Sequence, residues 1–308
     1  MTPLVLTQGD PGGIGPELLL RVAAEELLRD GDRVFGDPTV LAELAAQLGP
    51  LRPWAARGWA TLARHLDRAA APGMGQYAAL VAATEAALAS ISRGAPVAMV
   101  TAPIDKARAQ DEGLVHPGHT EFLAAAAGVD DFAMLMWGPI LRVALATIHL
   151  PLAEVPRRLG VAEIVRVGRL LADELPHFGD NRRIGVLALN PHAGEKGRLG
   201  DEEIRVIAPA IEALRGACPG IEFVGPMPAD TAFGIHARGE LAAIVAMYHD
   251  QGLGPFKLLH GSDGINATLG LPFRRASPDH GTARDIAGRG VADPSSMFAA
   301  VAYARGRG

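Results

Sequence analysis

Three histidines each stand just after a short apolar segment of the chain. His149 follows LATI, His192 follows LALNP and His249 follows VAMY. If these segments are parallel strands, their carboxyl ends lie at one edge of a sheet, and the three imidazoles could bind one divalent ion. Three imidazoles leave a position open for substrate, which is typical of catalytic metal sites. Each histidine could instead be a packed, hydrogen-bonded residue, and the spacing leaves both alternatives open.

A second group of polar residues lies among glycines and prolines in the last sixty residues of the chain. Lysine, arginine and asparagine side chains together form a donor set that suits a phosphate group. The alternative is an exposed basic loop whose charges pair with nearby acids, and Arg274 and Arg289 look more exposed than the rest. The other polar residues of this group are Asp250, Lys257, Asn266, Arg275, Asp279 and His280.

Two shorter motifs could also bind an anion. The segment GDPGGIGPE, residues 9–17, could turn backbone amides toward a ligand, but it lacks the G-x-G-x-x-G spacing and could equally be a tight turn. In GHTEF, residues 118–122, His119 and Thr120 could donate to a phosphate or carboxylate, or Thr120 could simply cap a helix. The single cysteine, Cys218, has no neighbouring base and is interpreted as a filler at a helix end.

Short apolar segments rich in β-branched residues alternate with Ala/Leu-rich segments of helical period, which predicts α/β layers around a largely parallel sheet. The predicted strands are Leu4 to Thr7, Val97 to Thr101, Ala133 to Trp137, Val143 to Thr147, Ile184 to Leu189, Ile221 to Val224 and Leu241 to Met247. The predicted helices are Glu17 to Leu28, Gln76 to Ser92, Ala162 to Leu175, Glu202 to Leu214 and Pro294 to Tyr303. Residues 50–75 show no clear period.

Composition limits the classes of function that this chain can have. The 308 residues include 34 acidic and 29 basic side chains, a formal net charge of −5, which argues against broad binding to nucleic acid or anionic lipid. One cysteine excludes an intrachain disulfide and a cysteine zinc cluster. Neither the opening residues nor any apolar stretch resembles a secretion signal or a membrane span, so we expect a cytoplasmic protein.

The length predicts two domains that share a cleft, and the lack of a linker suggests that the chain crosses between them more than once. We expect a discontinuous first α/β domain of residues 1–111 and 288–308. The second α/β domain, residues 112–287, would carry most of the metal and substrate residues.

An ordered series of motifs covers nearly the whole chain and resembles the 4-hydroxythreonine-4-phosphate dehydrogenases of pyridoxal 5′-phosphate (vitamin B6) biosynthesis. The motifs are GDPGGIGPE, TAPIDKA, HPGHTEF, LRVALATIHLPL, LNPHAGE, GPMPADT, AMYHDQGL, GINATLGLPFRRASPDHGTA and DIAGRGVAD. The resemblance implies two α/β/α domains similar to isocitrate and isopropylmalate dehydrogenases, with the active site in the cleft between them. It also implies a homodimer whose active site lies at the subunit interface.

The resemblance assigns roles to individual residues. It implies one divalent metal ion per subunit (zinc, magnesium, cobalt or manganese) on His149, His192 and His249. Substrate contacts would fall on His119, Thr120, Lys257, Asn266 and Arg275. Asp250, Asp230 and Lys257 are the candidates for catalysis, either in proton transfer or, for the two aspartates, in supporting the metal ligands.

The implied reaction is an NAD-dependent, decarboxylating oxidation. A hydride would leave 4-phosphooxy-L-threonine for NAD, and the resulting β-keto acid would lose CO₂ to give 3-amino-2-oxopropyl phosphate, with the metal stabilising negative charge on oxygen in both steps. One alternative is a dehydrogenase of a related phosphorylated hydroxy acid, such as 4-phospho-threonate or 4-phospho-erythronate. Further alternatives are an acyl- or phosphoryl-transferase on a related fold and a non-catalytic metabolite-binding protein, neither of which needs a histidine triad.

Overall fold

The computed structural model describes residues 2–306 of the chain. Strands and helices alternate along most of the sequence, as the apolar periodicity predicts. In chain order the strands are β1 (Leu4–Thr7), β2 (Arg33–Phe35), β3 (Ala98–Thr101), β4 (Ala133–Trp137), β5 (Arg142–Leu145), β6 (Arg183–Leu187), β7 (Glu222–Met227), β8 (Ala243–Ala246), β9 (Ile265–Leu269) and β10 (Arg274–Pro278).

The helices begin where the sequence supplies a start signal, such as the Pro16 near the start of α1 and the Asp37 side chain that accepts hydrogen bonds from the first turn of α2. They are α1 (Gly15–Ala24), α2 (Pro38–Leu48), α3 (Pro53–Leu62), α4 (Gln76–Ser92), α5 (Lys106–Asp111), α6 (His119–Ala127), α7 (Val155–Arg158), α8 (Val161–Glu174), α9 (Ala208–Ala217), α10 (Ala229–Ala237), α11 (His249–His260) and α12 (Ser295–Ala304). A stretch of π-helix, Glu203–Ile207, precedes α9.

The chain divides into two compact units, each built from neighbouring strands and the helices that pack on them. The first unit comprises residues 2–130 and 271–306, and its strands lie in the order β2-β1-β3-β10, all parallel. Its core contains Phe35, Leu80, Met99 and Leu123, which join α4 and α6 to the sheet. Burial of these apolar side chains is the main force that stabilises the unit.

The second unit comprises residues 131–270, and its strands lie in the order β9-β4-β5-β8-β6-β7. β4 runs antiparallel to both β9 and β5, whereas β5, β8, β6 and β7 run parallel to one another. Its core includes Leu187, Ile244 and Phe256. The carboxyl ends of β5, β8 and β6 therefore lie side by side along one edge of this sheet.

The predicted α/β class with mostly parallel strands is confirmed, but the division of the chain differs from our expected boundaries of 111/112 and 287/288. Residues 112–130 belong to the first unit because Phe122 and Leu123 of α6 pack into its core. Residues 271–287 also belong to it because β10 pairs with β3. Residues 1, 307 and 308 of the expected first domain lie outside the described residues. Among residues 2–306, no helix is long and apolar enough to cross a membrane.

Candidate functional site

The three histidines at predicted strand ends all lie in the second unit, after neighbouring parallel strands. His149 follows β5, His249 is the first residue of the helix after β8, and His192 lies in a turn after β6. All three side chains reach the surface; His149 is an exposed residue and the His192 side chain is 68% exposed. Imidazoles at the carboxyl ends of adjacent parallel strands occupy the position where such sheets bind ligands.

Two of these histidines lie close together, and two have a ring nitrogen in contact with the carboxylate of a nearby acidic residue. The His149 and His249 ring centroids are 5.8 Å apart. The His249 Nδ1 atom lies 2.7 Å from Asp250 Oδ1, and the His192 Nδ1 atom lies 3.2 Å from Glu195 Oε1. Because a carboxylate accepts the proton on Nδ1, the Nε2 lone pair is left for a metal ion.

The histidine set fits a divalent metal by the chemistry of its imidazole ligands. Within residues 2–306, no three metal-ligating side chains form a group that could hold an ion. A cavity of about 360 Å³ adjoins His149 and His249 and is also lined by Tyr248 and Asp250. One chain thus offers a pair of adjacent imidazoles beside a cavity, with His192 on the next strand along.

In the first unit, Arg275 and His119 form a cationic but poorly hydrated environment. Arg275 of β10 is 3% exposed, and its guanidinium donates to Thr101 Oγ1 over 2.6 Å. Burial lowers the pKa of Arg275 to about 10, with the charge of Glu121 opposing the shift, so Arg275 stays protonated at neutral pH. A buried cation of this kind is suited to binding an anionic group.

His119 is the first residue of α6, and its Nε2 atom is buried with no hydrogen-bond partner among the described residues. Burial, and then the charges of Arg275 and Lys106, hold the pKa of His119 well below its ordinary value. His119 is therefore neutral at neutral pH and can accept or donate one hydrogen bond. Lys106, within the TAPIDKA motif, is a neighbour that our sequence analysis did not single out.

The structure also decides between alternatives for two motifs. The N-cap of α6 is Gly118, so Thr120 lies inside the first turn and is not the helix cap. In the glycine-rich segment the amides of Gly12, Gly13 and Ile14 donate to Asp10 Oδ1, Asp10 O and Thr282 O. These amides are occupied within the protein, which supports the tight-turn alternative for that segment.

The Asp10 carboxylate of this turn is fully buried and contacts two arginines, Arg284 and Arg108. Burial alone would raise the pKa of Asp10, but the hydrogen bonds from Arg284 and Gly12 and the charges of both arginines outweigh burial and lower it. The turn is thus fixed by an ion-pair cluster that the sequence spacing did not indicate.

The remaining predicted site residues are placed as follows. Lys257 is exposed on α11, Asn266 is half-buried on β9, and Asp230 is exposed in the first turn of α10. Asp250 is 89% exposed apart from its contact with His249. Cys218 ends α9, and burial, together with the charge of Asp173, raises the pKa of its thiol, which agrees with a non-nucleophilic role.

The sheet order and helical layers place this chain in an α/β fold that isocitrate dehydrogenase also has. Isocitrate dehydrogenase from Methylococcus capsulatus superposes with a TM-score of 0.52 over 100% of this chain and 86% of that one, at 14% identity, which shows the fold alone.

The family follows from closer similarities. The family model for "Pyridoxal phosphate biosynthetic protein PdxA" matches residues 36–304. A 4-hydroxythreonine-4-phosphate dehydrogenase from Xanthobacter autotrophicus is 44% identical over 98% of this chain and 93% of its own length. The crystal structure of a 4-hydroxythreonine-4-phosphate dehydrogenase from Klebsiella pneumoniae has a TM-score of 0.80 and 34% identity over 99% of both chains. The chain belongs to the PdxA family, as its motifs predict.

Proposed function

We propose that this chain is an NAD-dependent 4-hydroxythreonine-4-phosphate dehydrogenase that oxidises 4-phosphooxy-L-threonine in pyridoxal 5′-phosphate biosynthesis. The observation that carries the proposal is full-length similarity at 44% identity to a relative of that name. The histidines, arginine, lysine and asparagine that the motifs predict are all present. The product after loss of CO₂ is 3-amino-2-oxopropyl phosphate.

Family membership implies a nicotinamide cofactor and a divalent metal. His149, His192 and His249 would hold the metal, which when bound supplies a Lewis acid for the substrate oxygen, while NAD supplies the hydride acceptor. The choice among zinc, cobalt, manganese and magnesium depends on availability, although imidazole ligands favour the later first-row ions. Asp250 holds the Nδ1 proton of His249, which keeps Nε2 directed outward as a ligand.

The substrate carries a phosphate and a carboxylate, and the chain supplies cations and neutral donors for both. Arg275, His119, Lys257 and Asn266 are the proposed anion-binding residues, with Thr120 beside His119. Because His119 is neutral, it can orient a substrate group by one hydrogen bond without adding charge. Lys257 and Asp230 are the candidates for proton transfer, since the oxidised carbinol must lose its hydroxyl proton.

We further propose that the active enzyme is a homodimer in which a second copy of the chain completes each metal site. The supporting observations are that His149 and His249 are adjacent in one chain and that residues 2–306 form no group of three ligands. In this arrangement His192 of one copy would complete the site formed by His149 and His249 of the other. Cytoplasmic location stays a prediction.

Substrate profiling tests the assignment of the substrate. Purified enzyme with added divalent metal is assayed for NADH formation on 4-phosphooxy-L-threonine, 4-phospho-threonate and 4-phospho-erythronate. We expect kcat/KM for 4-phosphooxy-L-threonine to be higher by roughly tenfold or more, since a site that hydrogen-bonds a substrate amine rejects analogues that lack it. A higher value for either hydroxy acid would transfer the function to that substrate.

A further inference from the structure

A buried polar side chain connects two of the strand ends that carry the proposed metal ligands. Gln251 on α11 is 9% exposed, and its Nε2 atom donates to Ala188 O over 2.7 Å, just after β6. Its Oε1 atom accepts from Met247 N over 2.7 Å, just after β8. One amide side chain thus holds the strand end before His192 to the strand end before His249.

Thr147 connects the third strand end to the same place. Its hydroxyl donates to Met247 O over 2.7 Å, and its backbone N–H donates to the same oxygen over 3.2 Å. Thr147 is 6% exposed and lies two residues before His149. Met247 is therefore held from one side by Gln251 and from the other by Thr147.

Glu203 holds the segment that leads to His192. Its Oε1 atom accepts from Leu189 N over 2.8 Å and from Asn190 N over 2.7 Å, and its Oε2 atom accepts from Asn190 Nδ2 over 3.0 Å. Glu203 is 4% exposed and begins the π-helical stretch Glu203–Ile207. Short π-helical segments are frequent at functional sites because they displace one side chain from the regular helical pattern.

The turn that carries His192 has a backbone that requires such support. His192, Ala193, Glu195 and Lys196 all have positive φ angles, of 52°, 54°, 44° and 60°. Left-handed backbone is unfavourable for a non-glycine residue, so four such residues persist only where surrounding contacts fix them. The Glu203 carboxylate lies where a side chain at Gly194 would be, since a Cβ built there would be 2.6 Å from Oε2.

We propose that Thr147, Glu203 and Gln251 form a buried brace that positions His149, His192 and His249, and thereby sets the affinity of this enzyme for its metal without ligating it. The inference rests on the proposed function, because it takes the three histidines as metal ligands. It adds that hydrogen bonds within each chain fix the strand ends that carry these histidines. Groups that orient metal ligands in this way typically change metal affinity by roughly 10- to 100-fold when removed.

The test compares three variants of the brace with one control. Gln251→Met removes both bonds of the amide at similar volume, and Thr147→Val removes only the hydroxyl bond. Glu203→Gln places an NH₂ group opposite Asn190 Nδ2, and Asn190 cannot turn its amide over because Nδ2 also donates to Glu202 Oε2 over 2.7 Å. Glu202→Gln is the control, because its side-chain oxygen can still accept from Asn190 while the brace stays intact.

The measurement is the Co²⁺ affinity of the metal-stripped protein, by competition with a chromophoric chelator and without substrate. We expect Gln251→Met and Glu203→Gln to bind Co²⁺ roughly 10- to 100-fold more weakly than wild type, Thr147→Val a few-fold more weakly, and Glu202→Gln within about twofold. If Gln251→Met and Glu203→Gln both have lower melting temperatures but unchanged Co²⁺ affinity, the brace has a purely structural role and the proposal is overturned.

Hydrogen exchange provides a second measurement that needs no variant. The amides of Leu189, Asn190 and Met247 should exchange slowly in metal-stripped wild type, because the brace holds them before any ion binds. Exchange as fast as in exposed loops would overturn the proposal even if a variant fails to fold.

Failure of the brace and failure of the proposed function give different results. If wild type binds Co²⁺ and the variants bind it more weakly, but wild type forms no NADH from 4-phosphooxy-L-threonine, the brace is supported and the proposed function is contradicted. If the variants bind Co²⁺ as tightly as wild type and wild type forms NADH, the brace is contradicted and the proposed function is supported. A wild type that binds no Co²⁺ contradicts the brace and the metal site together.

Discussion

Individual histidines in this chain lie in two kinds of surroundings. His236 is 2% exposed, with Nδ1 against Leu241 O at 2.8 Å and Nε2 accepting from Arg142 N at 2.9 Å. His260 is also 2% exposed and accepts from Leu141 N. Both side chains satisfy backbone groups inside the protein, whereas His149, His192 and His249 reach the surface. The sequence favoured the second group only because those three follow apolar segments.

The buried His236 should make stability depend on pH. Burial lowers its pKa from 6.5 to about 4, so between these values the unfolded chain takes up a proton that the folded protein does not. Stability from this residue is complete above pH 6.5 and is lost as the pH falls toward 4, by about 1.4 kcal/mol per pH unit.

Urea unfolding at pH 7 and pH 5 measures this effect in wild type and in His236→Gln, whose side chain can still accept from Arg142 N but does not titrate. We expect the loss of unfolding free energy between the two pH values to be smaller in the variant by roughly 2 kcal/mol. The same loss in both proteins would show that His236 does not titrate differently on folding.

Arg275 should contribute to both substrate binding and stability. The sequence offered an anion-binding residue or an exposed basic loop, and the structure shows a side chain 3% exposed within a strand. For Arg275→Gln we expect kcat/KM for the phosphorylated substrate to fall by an amount equivalent to about 2–5 kcal/mol of transition-state stabilisation, because a buried charge-assisted contact is lost. We also expect a lower melting temperature, because the substitution is in the buried interior of a strand.

The control for this prediction is Arg274→Gln. Arg274 is the preceding residue of β10, is only partly buried and lies over the Tyr303 ring at 5.3 Å. We expect a much smaller change in kcat/KM for this variant. Equal kinetic losses in the two variants would remove the specific assignment of Arg275.

At the scale of helices and strands, apolar segments were predictable and polar or very short ones were not. β1 and α4 have the predicted bounds, whereas the three-residue β2 was missed because so short a segment shows no period. β10 was missed as a strand because it reads RRASP and has little apolar character. In the region 50–75, α3 begins at Pro53, a residue typical of helix starts. The helix was not predicted because the residues after Pro53 show no clear helical period.

The packing of α3 on α1 depends on one glycine. A Cβ built on Gly58 of α3 would lie 2.2 Å from Leu20 O of α1, closer than real contacts allow. Alanine normally stabilises a helix interior, but here we expect Gly58→Ala to lower the unfolding free energy by roughly 1–3 kcal/mol, because the two helices must move apart.

Gly216 of α9 is the matched control, because a Cβ there has nothing within 4 Å. Gly216→Ala should raise the unfolding free energy by about 0.4–1 kcal/mol. Denaturant unfolding measures the unfolding free energy of both variants. If both substitutions change it in the same direction, the close contact at Gly58 is contradicted.

At the scale of the whole molecule, the sequence indicated the family and the residue types of the site but not how the residues are held. The motifs named the three histidines, yet Glu203 lies outside them. Gln251 lies within AMYHDQGL, but nothing in that motif indicates that its amide is buried and bonded to two strand ends. Their role depends on which backbone groups the folded chain brings within hydrogen-bond distance. Likewise, a single sequence does not indicate whether a second chain contributes to the site. The expectation of a homodimer therefore came only from the family resemblance.

Mixing inactive variants tests the proposed two-chain metal site. His192→Ala and His249→Ala should each be inactive, but co-refolded dimers that contain one of each have one intact site. Random pairing should restore about a quarter of wild-type activity, since half of the dimers are mixed and each has one of two sites. No recovery at all, with mixed dimers shown to form, would place all three ligands in one chain.

The central claim is that this chain couples the oxidation of 4-phosphooxy-L-threonine by NAD to its decarboxylation at a metal site. The most direct measurement is simultaneous detection of NADH and CO₂ from this substrate, before and after chelation and again after divalent metal is restored. We predict equal amounts of NADH and CO₂, loss of both on chelation and return of both with metal. Undiminished turnover after complete metal removal, or no NADH from this substrate at any metal concentration, would contradict the account.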